Sequence, residues 1–283
     1  MKFIKKPLFI RFDVTSKCNF DCTACYRPTK KIKDLLTDKI FKIIDKIVNF
    51  GVKRIIFGGG EPFLRKNFEE IVMYANKKGL NCDIVSNGTL IKKNHIKFLK
   101  KYVSELSISL DGHNEKINGK IRPKFSFKKI IKTLCLLKRN KLNFNLITTL
   151  SKVNFNYIEE IIAFGKKIGA KEHHFIRFIP IGRGSKYKNW YLSDKEWYQV
   201  IERLKVDERL LFDEQSIAGD CGVGKEFLCI LANGDITPCT RKYSKKWRLG
   251  NILKDNIKEV FHTSFMLDKL KKTKRNNCLS CNV

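Results

Sequence analysis

Three thiols fall within one short loop: Cys18, Cys22 and Cys25, at a C-x3-C-x2-C spacing. Three thiolates can hold one metal centre and leave a fourth position open, which a catalytic centre needs and a structural zinc site avoids. A zinc knuckle with a distant fourth ligand, or three unrelated thiols, is the plainer alternative. Further along, Cys221 and Cys239 are followed by the pair Cys278 and Cys281. Four thiols suit one further metal centre, an iron–sulfur cluster or tetrahedral zinc alike. Cys229, in a strand-like run, is an alternative to Cys221. Cys82 and Cys135 fall in an expected strand and helix and read as buried, inert thiols.

Other chemistry-bearing residues recur at one kind of place. Gly58-Gly59-Gly60-Glu61-Pro62, Ser86-Asn87-Gly88-Thr89, Ser109-Leu110-Asp111-Gly112, Thr148-Thr149 and Arg177 to Gly184 each end a strand-like run. Arg122 follows the third of these runs. The strands are expected at 8–13, 54–57, 82–85, 105–110, 143–150 and 173–179. Helices are expected between them at about 37–50, 67–78, 92–102, 127–139 and 157–168. The first carries an apolar stripe at Ile40, Ile43, Ile44 and Ile47 and ends at Gly51. Six strand–helix repeats imply a parallel sheet, because parallel strands need helical crossovers. Ligands of such folds bind where the carboxyl ends of the strands and their loops gather. The motifs therefore converge on one mouth, and six repeats instead of eight suggest a partly open barrel. After a helix from Ser193 to about Leu204, residues 205–219 break the rhythm. This sets the expected boundary between domains at 1–205 and 206–283. The second carries a hairpin signal at Asn233-Gly234 and a helix at about 255–271. On strand six, only one of His173 and His174 can face the interior. No catalytic acid or base is assigned.

The chain has 283 residues and ten cysteines. It has no apolar run long enough for a membrane span and no signal-peptide core, so the cytoplasm is expected, where clustered cysteines ligate metals in preference to forming disulfides. The formal charge is +30. Lysines are spread over every helix without a dense block, which reads as solvated faces and argues against a nucleic-acid partner; an acidic substrate stays open.

With these loops in place, Cys18, Cys22 and Cys25 after the first strand resemble the radical S-adenosylmethionine (radical SAM) superfamily. The Gly59-Gly60-Glu61 loop, Ser86-Asn87-Gly88 and Ser109 to Gly112 resemble further elements of it. The resemblance implies a partial (βα)6 barrel in which the three thiolates hold a [4Fe–4S] cluster and S-adenosylmethionine (SAM) chelates its fourth iron. It implies SAM contacts from Gly59, Gly60, Glu61, Ser86, Asn87, Ser109, Asp111 and Arg122, and from Thr148 and Arg177 around the adenosine. The tail, with its C-x12-G-x4-C run from Cys221 to Cys239 and its C-x2-C pair, resembles the SPASM/Twitch extension. That implies an auxiliary [4Fe–4S] cluster on Cys221, Cys239, Cys278 and Cys281. The chain runs two residues past Cys281, so the expectation is the shorter Twitch form with one auxiliary cluster.

The implied activity is reductive cleavage of SAM to a 5′-deoxyadenosyl radical that abstracts a substrate hydrogen. The expected substrate is a ribosomally made peptide, to be crosslinked or epimerised. The alternative is a small-molecule dehydrogenase or cofactor-pathway enzyme, and a remote one is a metal-bearing nucleic-acid binder without activity. Expected partners are a flavodoxin- or ferredoxin-type electron donor and, for a peptide substrate, a separate leader-peptide-binding protein.

Overall fold

The structure, a computed structural model, describes residues 6–28, 32–204, 209–212 and 222–272. Cys221, Cys278 and Cys281 lie outside them.

Seven parallel strands follow the chain in order: β1 (Phe9–Thr15), β2 (Arg54–Gly59), β3 (Asn81–Ser86), β4 (Glu105–Ser109), β5 (Asn145–Leu150), β6 (His173–Arg177) and β7 (Leu210–Phe212). The helices between them are α1 (Thr37–Asn49), α2 (Phe68–Lys77), α3 (Ile96–Tyr102), α4 (Glu115–Ile121), α5 (Ser126–Arg139), α6 (Ile158–Ile168) and α7 (Asp194–Leu204). The six expected strands are all present, within a few residues. β7 was not expected: it lies in the stretch read as breaking the rhythm and pairs with β6 through His173 and Leu210. α4 is also new. Its seven residues are too few to show a helical period, but Asn114 caps it by accepting from the Ile117 N–H, and Pro123 follows its end.

The C-terminal region does not stand apart. β8 (Phe227–Ile230) lies parallel to β1, pairing Phe9 with Phe227 and Phe12 with Ile230. β9 (Asp235–Thr237) returns antiparallel from the Asn233-Gly234 turn, and β10 (Gly250–Asn251) completes an open ten-stranded sheet in the order β10-β9-β8-β1-β2-β3-β4-β5-β6-β7. The helix expected at 255–271 is two, α8 (Ile257–Thr263) and α9 (Phe265–Lys272). Between them Ser264 is extended, and its hydroxyl accepts from the Leu267 N–H as the cap of the second.

Strand parity divides the sheet. Ile10, Phe12 and Val14 of β1, Ile55 and Phe57 of β2, Leu106 and Ile108 of β4 and Leu146 of β5 are buried in the main core, together with the Ile40, Ile43, Ile44 and Ile47 stripe of α1. Their neighbours of opposite parity, Arg11 and Asp13, Ile56 and Gly58, Ser109, and Ile147 and Thr149, line a cavity on the other face.

Candidate cofactor site and cavity

The cysteine loop leaves β1 and is gripped by backbone. The Gly60 N–H donates to the Thr15 carbonyl (2.9 Å) and the Glu61 N–H to the Lys17 carbonyl (2.8 Å). A Cβ on Gly60 would sit 1.7 Å from the Lys17 oxygen, and one on Gly59 2.4 Å from the Thr15 oxygen. The glycines thus admit the cysteine loop itself, at a distance no side chain allows. From the far side of the sheet, Gly182 packs on the loop, where a Cβ would lie 2.2 Å from the Tyr26 carbonyl oxygen. The Thr23 N–H donates to the Ile121 carbonyl (2.8 Å).

Glu61 is fully buried. Its carboxylate accepts from the Ser86 hydroxyl (2.8 Å), the Asn87 N–H (2.7 Å) and the Phe63 N–H (3.2 Å). It ties the β2 loop to the β3 loop instead of facing the cavity. Burial pushes its carboxyl above the ordinary carboxylate range, and these hydrogen bonds pull it back. Asn87 reaches the cysteine loop through Asn19 (2.9 Å). After β4, Asp111 accepts from the Thr149 N–H (2.7 Å) and pairs with the Arg122 guanidinium (2.8 Å), which stands 4.0 Å from the Cys22 sulfur. Burial pushes the Cys22 thiol up to about 12, and Arg122 opposes the shift.

These loops enclose one cavity of about 760 Å3, within the usual range for a ligand site. Cys18, Cys22, Cys25, Gly59, Gly60, Ser86, Asn87, Ser109, Asp111 and Arg122 line it, and so does Cys239 from the loop after β9. Thr148 and Arg177 do not. Both have the parity of the buried face. The Thr148 hydroxyl donates to the Leu110 carbonyl and meets His173 Nε2, while Arg177 holds the Leu192 carbonyl ahead of α7 and Asp194 at its first position. Their inward neighbours, Thr149 and Ile176, reach the cavity. The same parity sends His174 inward and buries His173.

A polar cluster that sequence reasoning did not foresee lies on the β1 side. Asp13 accepts from the Tyr243 hydroxyl, Arg27 stands 5.8 Å from the Tyr243 ring centre, and the Tyr26 and Tyr243 rings are 6.4 Å apart. Burial pushes the Asp13 carboxyl up, opposed by Arg27, the Tyr243 hydroxyl and Arg11. Its signal in the sequence was adjacency alone: Tyr26 and Arg27 follow Cys25, and Tyr243 follows Cys239 by four residues.

The donor set fits an iron–sulfur cluster. Cys18, Cys22 and Cys25 are free thiols on one cavity wall, and the Phe20 N–H donates to the Cys18 sulfur (3.4 Å), the kind of contact that tunes such clusters. Among the described residues, no three His, Cys, Asp or Glu side chains close on a point that a single ion could occupy. Zinc would need its sulfurs about 2.3 Å from one centre.

Comparison with known proteins gives a consistent answer. Residues 12–165 match the model of the radical SAM superfamily, and residues 221–282 match the SPASM iron–sulfur cluster-binding domain. The subtilosin biosynthesis protein AlbA of Bacillus subtilis is 28% identical over 91% of this chain and 60% of its own length. Fe-coproporphyrin III synthase of Methanosarcina barkeri is 33% identical over 74% of this chain and 53% of its own. The chain therefore spans little more than half the length of these curated relatives. The crystal structure of Streptococcus suis SuiB bound to its precursor peptide SuiA shares the fold, with a TM-score of 0.81 at 15% identity, over 95% of this chain and 67% of that one. SuiB has also been crystallised with S-adenosylmethionine. The family's cofactors are [4Fe–4S] clusters and SAM. The open parallel sheet, the cysteine loop on its cavity and the C-terminal cysteine region identify this chain as a member of the radical SAM superfamily with a SPASM iron–sulfur domain.

Proposed function

We propose that this chain is a cytoplasmic radical SAM oxidoreductase that modifies a ribosomally made peptide by crosslinking or epimerisation. One observation carries the reading: Cys18, Cys22, Cys25 and Cys239 open onto one cavity, so the cofactor loop and the C-terminal cysteine region face a common chamber. Relatives support the peptide: AlbA is named for bacteriocin biosynthesis, and SuiB holds a precursor peptide.

In this reading residues 1–205 form the radical SAM part and 206–283 the auxiliary part. Cys18, Cys22 and Cys25 hold the SAM-binding cluster, and Cys221, Cys239, Cys278 and Cys281 the auxiliary one. When bound, the first cluster and SAM supply a 5′-deoxyadenosyl radical. The protein orients and shields this chemistry. Gly59, Gly60, Ser86, Asn87 and Ser109 line the SAM subsite. Asp111 orients Arg122 beside Cys22, where its planar fork suits the SAM carboxylate. Glu61 contributes by fixing the β2 and β3 loops, with Thr148 and Arg177 holding the strand ends behind. A flavodoxin- or ferredoxin-type donor supplies the electron, and a separate protein presents the leader peptide. A second reading, a small-molecule cofactor-pathway enzyme, is favoured by the likeness to Fe-coproporphyrin III synthase.

Anaerobic reconstitution tests the proposal. Two cubanes predict about eight irons per chain, and dithionite with SAM yields 5′-deoxyadenosine. Zinc alone, with no deoxyadenosine, overturns it.

A further inference from the structure

The cavity wall has a charge and a residue choice that the chain's composition does not explain. Among the described residues, six cationic side chains line it, Arg11, Lys17, Arg27, Arg122, Arg183 and Arg241, against two carboxylates, Asp13 and Asp111. Asp111 is already committed to Arg122. Asp13 lies between Tyr243, Arg27 and Arg11. The chain as a whole has 45 Lys and 13 Arg. A wall drawn from that background would be lysine, yet five of its six cations are arginine. Lysine-rich solvated faces therefore account for the outer surface and not for the cavity.

Arginine differs from lysine in offering a rigid, planar fork that pairs bidentately with a carboxylate. The arginines away from the Asp111 pair come from four separate segments. Arg11 is on β1, Arg27 follows the cysteine loop, Arg183 follows β6 and Arg241 follows β9. The sheet brings them together: the Arg183 N–H donates to the Arg27 carbonyl (3.3 Å), and the Arg241 N–H to the Cys239 sulfur (3.4 Å). Among the described residues, the Nε atoms of Arg27 and Arg183 are buried with no hydrogen-bond acceptor, a state that costs free energy until an acceptor arrives.

We propose that the cavity recognises a substrate bearing two or more carboxylates, held by Arg11, Arg27, Arg183 and Arg241 between the cysteine loop and Cys239. This rests on the reading of the cavity as the substrate chamber. Two sources offer the chemistry, acidic side chains of a peptide and propionates of a tetrapyrrole, and the test separates them.

The test titrates reconstituted holoenzyme with SAM present, by calorimetry. One arm uses a ten-residue peptide with four Glu against its all-Gln counterpart, the other coproporphyrin III against its tetramethyl ester. The proposal expects one acidic probe to bind one per chain, at least tenfold tighter than its neutral counterpart. The acidic probe that binds names the source. Arg183→Gln and Arg241→Gln should each weaken that binding about tenfold, with Arg241→Lys intermediate because the charge stays and the fork goes. The surface pair Lys100→Gln and Lys101→Gln should leave it unchanged. Equal affinity for acidic and neutral probes, binding of many probes per chain, or an equal loss in the surface variant would overturn the proposal. SAM cleavage by the same preparation is scored separately. Cleavage without selective binding sinks this inference alone, whereas selective binding without cleavage sinks the reading beneath it.

Discussion

The loop of Cys18, Cys22 and Cys25 is held from four directions, by backbone of the Gly59-Gly60 turn, Gly182 and Ile121 and, through the Asn19 side chain, by Asn87 of the β3 loop. Cys239 is held by a turn of its own hairpin, where its carbonyl accepts from Thr237 and its sulfur from the Arg241 N–H. The first site is compact in sequence and rigidly cradled. The second set of cysteines is spread along the sequence from 221 to 281, and its one described member, Cys239, reaches the cavity because β8 zips onto β1. Tyr243 and Asp13 add a side-chain contact between the two regions, across 230 residues of chain. A site whose motif is local can be preorganised by neighbouring loops, whereas a dispersed one depends on the sheet to bring its pieces in.

The comparison breaks most sharply at the cysteines. Replacing Cys18, Cys22 and Cys25 by Ala should abolish 5′-deoxyadenosine formation, whereas Cys239→Ala should lower bound iron by about half; iron analysis and chromatography of the reduced enzyme check both. Retained SAM cleavage in the triple variant refutes the ligand assignment. Next, Gly60→Ala puts a methyl group 1.7 Å from the Lys17 backbone oxygen. A loss of about 3–5 kcal/mol in urea unfolding is expected, since backbone must move. Tyr243→Phe removes a donor from the buried Asp13, costing about 2 kcal/mol and raising the Asp13 carboxyl further; urea unfolding reads the first and carboxyl titration by infrared spectroscopy the second.

His173, buried on β6 beside Thr148 of β5, makes the fold acid-sensitive. Burial lowers its value from the ordinary 6.5 to about 3, so the fold favours the neutral ring. Its contribution is fully present above pH 6.5 and is lost as pH falls, because the unfolded chain then takes up a proton that the folded one refuses. By pH 5 the loss amounts to about 2 kcal/mol. Unfolding free energies at pH 7 and 5 should show that difference, and His173→Gln should remove it. The smallest effect belongs to the hairpin: Gly234→Ala at φ +83° is resisted by the left-handed backbone and meets the Asn251 side chain at 3.3 Å, a contact that a small side-chain shift relieves. The expected cost is about 1–2 kcal/mol in the same unfolding assay.

Much of this was legible in the residues. Cysteine spacing marked the cofactor loop, apolar periodicity marked the strands and helices, and Asn233-Gly234 marked the hairpin, because each signal is carried by neighbours in the chain. α4 and β7 are too short to carry a period, and the Thr263-Ser264 break is hidden inside an apolar pattern that runs through it. The side on which a strand residue falls was not legible for Thr148 and Arg177. A shift of one residue reverses the face, and only pairing sets the register.

Three local properties follow from sequence alone: an open-coordinate thiol loop, a parallel strand–helix order, and a second cysteine set. The tertiary structure decided what these share. It placed β8 beside β1, turned Glu61 inward as a brace and gathered arginines from four segments onto one cavity wall. Local spacing fixes which atoms are near each other along the chain, whereas a chamber is made by strand register and parity, which arise only when distant segments hydrogen-bond.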